Sequence, residues 1–140
     1  MPQQEPQPTG GPPRRDLLLI AADWQSRALT LAELQEAGYE VMAVPGLRYG
    51  LRALRRGLVV PPLIVLDVHD DAEATPERAA QLLALAPGVP LILIVGAFER
   101  AQWEPLRPQV AAWLTRPVTV GEVVAAVRRL LPLRPEASAG

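Results

Sequence analysis

Leu63-Ile64-Val65-Leu66-Asp67 is an unbroken apolar run closed by a single acid, and the turn-like stretch His69-Asp70-Asp71 follows shortly after. A strand with one wet face alternates polar and apolar residues. A continuous apolar strand is covered on both faces, as in a parallel sheet flanked by helices. An acid at the carboxyl tip of such a strand is expected to stand exposed where open α/β sheets gather their active sites. Asp67 is therefore the first candidate functional residue.

Working outward, the same alternation of short apolar runs and amphipathic segments recurs. Leu17–Ile20 and Glu40–Val44 read as the preceding strands, Pro90–Val95 and Ala111–Thr115 as the following ones. A helix is expected from Ser26 to Ala37, with Ala28, Leu31 and Leu34 near one face and Gly38 just past its end. A basic helix from Leu47 to Arg56 stops at Gly57. Thr75 is placed to cap a helix running to Ala86, with Pro76 at its first position. Thr119-Val120-Gly121-Glu122 is a capping box that opens a last helix to Leu131, whose inner face is Val120, Val123, Val124, Val127 and Leu131. Between them, Phe98–Val110 is broken by Pro105 and Pro108, so any helix there is short or kinked. Five β-α units imply one doubly wound α/β sandwich with a five-stranded parallel sheet.

Composition narrows the function. The 140 residues suit one domain, expected over residues 14–132 between flexible tails at 1–13 and 133–140. A net charge of −1 gives no electrostatic reason to expect nucleic acid or an anionic membrane as partner. Without cysteine there is no disulfide, thiol catalysis or thiolate metal site, and His69 alone cannot build a multi-histidine site or a credible triad. No apolar stretch nears the roughly 20 residues that span a bilayer, and the start lacks a signal-peptide core. A cytoplasmic, non-enzymatic domain is the expectation. All 14 basic residues are arginine, and Arg48, Arg52, Arg55 and Arg56 fall on the second helix, most simply as a solvated face.

Several pieces resemble the receiver domain of two-component response regulators, over roughly Asp16 to Leu131. They are the five β-α order, Asp67 ending the third strand, Gly38-Tyr39-Glu40-Val41 entering the second, and Arg27 early in the first helix. The segment Ala112-Trp113-Leu114-Thr115-Arg116-Pro117, followed by Glu122-Val123, resembles that family's A-x-Y-L-x-K-P ending of strand five. The resemblance implies a flavodoxin-like sheet of order 2-1-3-4-5, a cis bond before Pro117, and Asp67 as the phosphoacceptor for a histidine kinase. It also implies that two acids after strand one hold Mg²⁺, that a hydroxyl ends strand four, and that a lysine ends strand five. Carried over by position, these fall on Ala21 and Ala22, on Val95 and on Arg116, with Trp113 as the switch aromatic. Only Asp67 keeps its residue type.

Methyl side chains at 21 and 22 give a hard cation no oxygen ligand, so Asp23 and Asp67 are left as weak candidates for Mg²⁺. Val95 cannot donate a hydrogen bond, and Arg116 replaces a compact ammonium with a fork shaped to pair with Asp67 itself. Asp23 could equally cap the first helix. Asp70 and Asp71 are read as an acidic loop facing water. The expectation is an atypical receiver that is phosphorylation-independent and works through protein contacts, with a histidine kinase or another signalling protein as partner. A homodimer would use the face of the fourth helix, fifth strand and fifth helix, where Phe98, Trp103, Leu106 and Trp113 concentrate apolar bulk. The alternatives are an active phosphoacceptor with a weakened metal site and a flavodoxin-like small-molecule binder. No output domain is expected within this chain.

Overall fold

In the computed structural model, residues 14–133 are described; the expected tails, apart from Leu133, lie outside that range. Five parallel strands, β1 (Leu17–Ala21), β2 (Val41–Val44), β3 (Ile64–Asp67), β4 (Leu91–Val95) and β5 (Ala112–Thr115), form one sheet of order β2-β1-β3-β4-β5. Five helices connect and follow them: α1 (Trp24–Glu36), α2 (Leu47–Arg55), α3 (Pro76–Leu85), α4 (Arg100–Trp103) and α5 (Val120–Leu130). Pleating sends alternate side chains to opposite faces, so each apolar strand feeds two cores. Leu18, Ile20, Ile64, Leu66, Leu93 and Val95 meet α2 and α3 on one side. Leu17, Leu19, Leu63, Val65, Ile92 and Ile94 meet α1 and α5 on the other.

The helix boundaries follow their caps. Asp23 accepts a hydrogen bond from Ser26 N–H, so α1 begins at Trp24, two residues earlier than the sequence suggested. Its inner face is Thr30 and Leu34 with Leu31 partly covered, whereas Ala28 is exposed. That corrects the expected stripe: Thr30, and not Ala28, shares the inner face with Leu34. Thr75 and Thr119 cap α3 and α5 as expected, the latter with the full box through Glu122. The Arg116–Pro117 bond is cis.

The segment after β4 differs most from expectation. It forms two 3₁₀ segments, Ala97–Glu99 and Glu104–Gln109, around the single turn of α4. Trp103 (1% exposed) and Leu106 turn into the core beside α3, while Phe98 is fully exposed. Two of the four bulky residues expected at a dimer face, Trp103 and Leu106, are therefore interior. With two prolines the segment cannot make a long helix that stands off the sheet, and its bulky residues close the core instead.

One close approach sets the distance between α2 and the sheet. A Cβ at Gly50 would lie 2.5 Å from Ile20 Cδ1 and 3.9 Å from Leu82 of α3. Glycine's missing side chain lets α2 sink onto β1 and lie against α3. Gly50→Leu overfills this seam and should lower stability by about 1–3 kcal/mol in urea unfolding. An unchanged midpoint would mean that α2 does not pack this closely.

Candidate functional site

Asp67 ends β3 in the alternation that includes Leu63 and Val65, so its side chain points to the α1/α5 side of the sheet. It is only 6% exposed, which corrects the expectation of an acid standing in water. Helices α1 and α5 and the β5–α5 loop close over the strand tip. A small cleft of about 180 Å³ remains, lined in part by Thr30, Asp67, Ile94, Arg116, Val118 and Val123.

Burying a carboxylate is costly unless it is paired and hydrogen-bonded. Here Asp67 Oδ2 accepts from the Arg116 guanidinium, and Oδ1 accepts from His69 N–H at 3.0 Å. The pairing with Arg116 expected from the sequence is present. Burial nevertheless pushes the Asp67 carboxyl above its ordinary pKa, against the pull of the His69 N–H and the Arg116 charge. The pair does not hold this acid in an unusually acidic state. Arg116 Nε is itself buried without a hydrogen-bond partner.

The remaining predicted site residues are placed as follows. Ala21 is the register partner of Asp67, and its carbonyl and that of Ala22 both accept from Arg27 Nη1, at 2.8 and 3.3 Å. Arg27 thus ties down the β1–α1 turn. Asp23 spends its carboxylate on Ser26, and that hydrogen bond lowers its pKa, with smaller help from His69 and Arg116. Val95 is fully buried in the α2/α3 core, on the opposite side of the sheet from Asp67. It touches the site only through the backbone, where Val95 C=O accepts from Arg116 N–H at 2.8 Å. Trp113 is half-buried with the Arg107 guanidinium 4.6 Å over its ring, and its indole N–H is buried without a partner.

Two carboxylates play parts that the sequence reading missed. Asp71 is only partly exposed. Its Oδ2 accepts from Leu47 N–H at 2.8 Å, fastening the start of α2, and its Oδ1 accepts from Glu73 N–H at 3.1 Å. Glu99 Oε1 accepts from Gly96 N–H at 2.9 Å, taking the donor at the tip of β4. The second was legible as an acid three residues after a loop start; the first pairs residues 24 apart and gave no local signal. His69 and Asp70 lie exposed and face each other at 3.5 Å.

Magnesium needs several free oxygen donors. At these tips Asp23 caps a helix, Asp67 is taken by Arg116 and His69, and the 21–22 carbonyls are taken by Arg27. Among the described residues no three acidic or histidine groups converge to hold a metal ion. The donor set does not fit the ion.

Neither a family model nor a curated protein sequence matches the chain. Solved structures do, and most are response-regulator receiver domains. The receiver domain of NtrX from Brucella abortus is 17% identical with a TM-score of 0.70, covering 85% of this chain and 100% of that one. A response regulator receiver protein from Sinorhizobium medicae WSM419 is 23% identical with a TM-score of 0.67, covering 87% and 98%. A structure described as adenylate cyclase from Rhodopirellula baltica, 15% identical, gives 0.73 over 84% and 87%. The chain therefore has the receiver fold. No helix among the described residues is long and apolar enough to cross a membrane.

The pair gives a pH-dependent expectation. Because the Asp67 pKa is raised on folding, the folded state holds its proton more tightly than the unfolded chain. Stability therefore falls as pH rises through the interval between the ordinary and folded values. Removing Arg116 takes away one of the groups that limit the rise, and the interval extends upward. Arg116→Met should thus cost about 3 kcal/mol near neutral pH, where a buried carboxylate loses its partner, and less in acid. Urea unfolding at both pH values measures the difference, and a penalty independent of pH would contradict it.

Proposed function

We propose that this chain is an atypical receiver domain of two-component phosphorelay signalling that works through protein contacts and without phosphorylation. The observation carrying this reading is the Arg116–Asp67 pair: a guanidinium occupies one of the two carboxylate oxygens that could act as the nucleophile in phosphoryl transfer, and His69 N–H is donated to the other. Three further features support it. The strand-one tip offers methyl groups and carbonyls already bound by Arg27. The buried Val95 side chain, on the far face, has no donor to aim at a phosphoryl oxygen. The Glu99 carboxylate at Gly96 adds negative charge at the tip of β4, where an incoming anion would be repelled.

The partner is a protein of the signalling system, a histidine kinase or another regulator. A homodimer through α4, β5 and α5 now rests on Phe98 and the half-buried Trp113 alone. A small-molecule role has less support, since the Asp67 cleft of about 180 Å³ is below the roughly 300–1,000 Å³ of ligand pockets.

Beryllofluoride with Mg²⁺ mimics a phosphoryl group on a receiver aspartate. Trp24 at the start of α1 and Trp113 on β5 should show no saturable fluorescence change on its addition. A saturable change that disappears in Asp67→Asn would establish the phosphoacceptor reading in place of this one. Restoring the acids with Ala21→Asp and Ala22→Asp, together with Arg116→Lys, should recover at least weak Mg²⁺ binding, read by calorimetry.

A further inference from the structure

On the face of the molecule away from the Asp67 cleft, α2 and α3 border a groove of about 220 Å³ lined by Arg48, Leu51, Arg55, Arg78 and Gln81. The close approach at Gly50 brings the two helices together and so makes this groove. Arg48, Arg52 and Arg55 recur at helical spacing, and Arg48 and Arg55 stand about 10 Å apart along the axis. Arg78 faces them from α3, and Arg56 ends α2. Three of the 14 arginines thus line one groove of a chain whose net charge is −1, with Arg52 and Arg56 on the same helix and its cap.

The acids nearby do not neutralise them. Glu73 is shared between Arg48, at 3.9 Å, and Arg78, at 3.1 Å. Among the described residues Arg55 has only the neutral Gln81 amide oxygen, at 3.0 Å. Arg52 and Arg56 make no ion pair among the described residues; Arg52 lies over the Tyr49 ring, 5.5 Å from its centre. Like charges held this close repel one another, and an anion laid between them relieves that repulsion.

We infer that the α2–α3 groove binds an acidic peptide segment of a partner protein, its carboxylates received by Arg48, Arg55 and Arg78. The arrangement of the donors selects this occupant. A single phosphate is best held where donors converge on a point, commonly at the start of a helix. The start of α2 is already filled: Leu47 N–H is given to Asp71, whose carboxylate would repel a phosphate there. The guanidinium groups of Arg48 and Arg55 lie in a row along α2 with Arg78 opposite, sharing the single carboxylate of Glu73 between two of them, which suits carboxylates spaced along an extended or helical segment. Each fork pairs with a carboxylate through two parallel hydrogen bonds. Single-stranded nucleic acid is also an extended anion, but it gains much of its binding from stacking on aromatic faces. Tyr49, the exposed ring of α2, is not among the groove's lining residues and carries Arg48 and Arg52 over it. The leucine floor at Leu51 adds an apolar contact between the charges.

The inference does not depend on the state of Asp67, so its failure would leave the reading of that site untouched. A labelled oligoglutamate peptide, titrated with the full chain and followed by fluorescence anisotropy, should bind saturably at low salt and more weakly as salt rises. Arg55→Glu with Arg78→Glu, one change on each wall, should weaken binding by about tenfold or more, which corresponds to ~1.4 kcal/mol. Arg100→Glu with Arg129→Glu alters the charge equally on α4 and α5 and should leave binding within about twofold. All these side chains are exposed, and thermal unfolding of each variant checks that the fold is kept. Absence of saturable binding, equal loss in both double variants, or tighter binding of an oligouridylate of the same charge would overturn the inference.

Discussion

Each strand of this sheet is apolar on both sides, and the chain can keep such strands out of water only by laying helices on both faces. Everything else about the molecule is arranged within that constraint. The two-residue pleat of a strand sorts neighbours to opposite cores, so Val95 belongs to the α2/α3 side and Ile94 to the α1/α5 side. Asp67 inherits the α1/α5 side from its place in β3, and the same covering that protects Leu63 and Val65 closes over its carboxylate. A group placed there has to be partnered within the protein. Arg116 and the His69 N–H meet that need, and burial still decides the direction in which the acid titrates.

The sheet was legible because continuous apolar runs leave few alternatives, and the helix starts at Thr75 and Thr119 because a cap acts over three or four residues. The pairing of Arg116 with Asp67 was also legible, from a register that put a fork where a compact ammonium would stand. What escaped the sequence lies in the third dimension. The burial of Asp67 depends on how α1 and α5 close over the strand tip. The inward turn of Trp103 and Leu106 depends on prolines that shorten α4 until it must complete the core. Asp71 reaches across to α2 from another loop, with no local pattern to announce it. The place of Thr30, and not Ala28, on the inner face of α1 depends on how the helix is seated against the sheet.

Two groups of arginines obey different physics. Arg27 and Arg116 are part-buried and spend their donors on backbone carbonyls and on Asp67, so they act as internal ties. Those on α2 and α3 extend into water, where a single ion pair adds little to stability. Their concentration is therefore better understood as a property of the surface than of the fold. Gly50 links the two sets of facts, since the packing that stabilises the α2/α3 core also draws the outer arginines together.

The ties at the strand tips have a consequence for how information could pass through the domain. Arg27 holds the 21–22 carbonyls, Glu99 holds Gly96 N–H, and Asp67 is held from two sides. A ligand shifts a conformational equilibrium only by its difference in affinity for two states. Where donors and acceptors are already satisfied within the protein, a small effector must break contacts as good as those it makes. On the reading proposed above, such a domain would transmit by mass action, its output set by how many copies are present and how many are occupied by partner, in the manner of a stoichiometric adaptor.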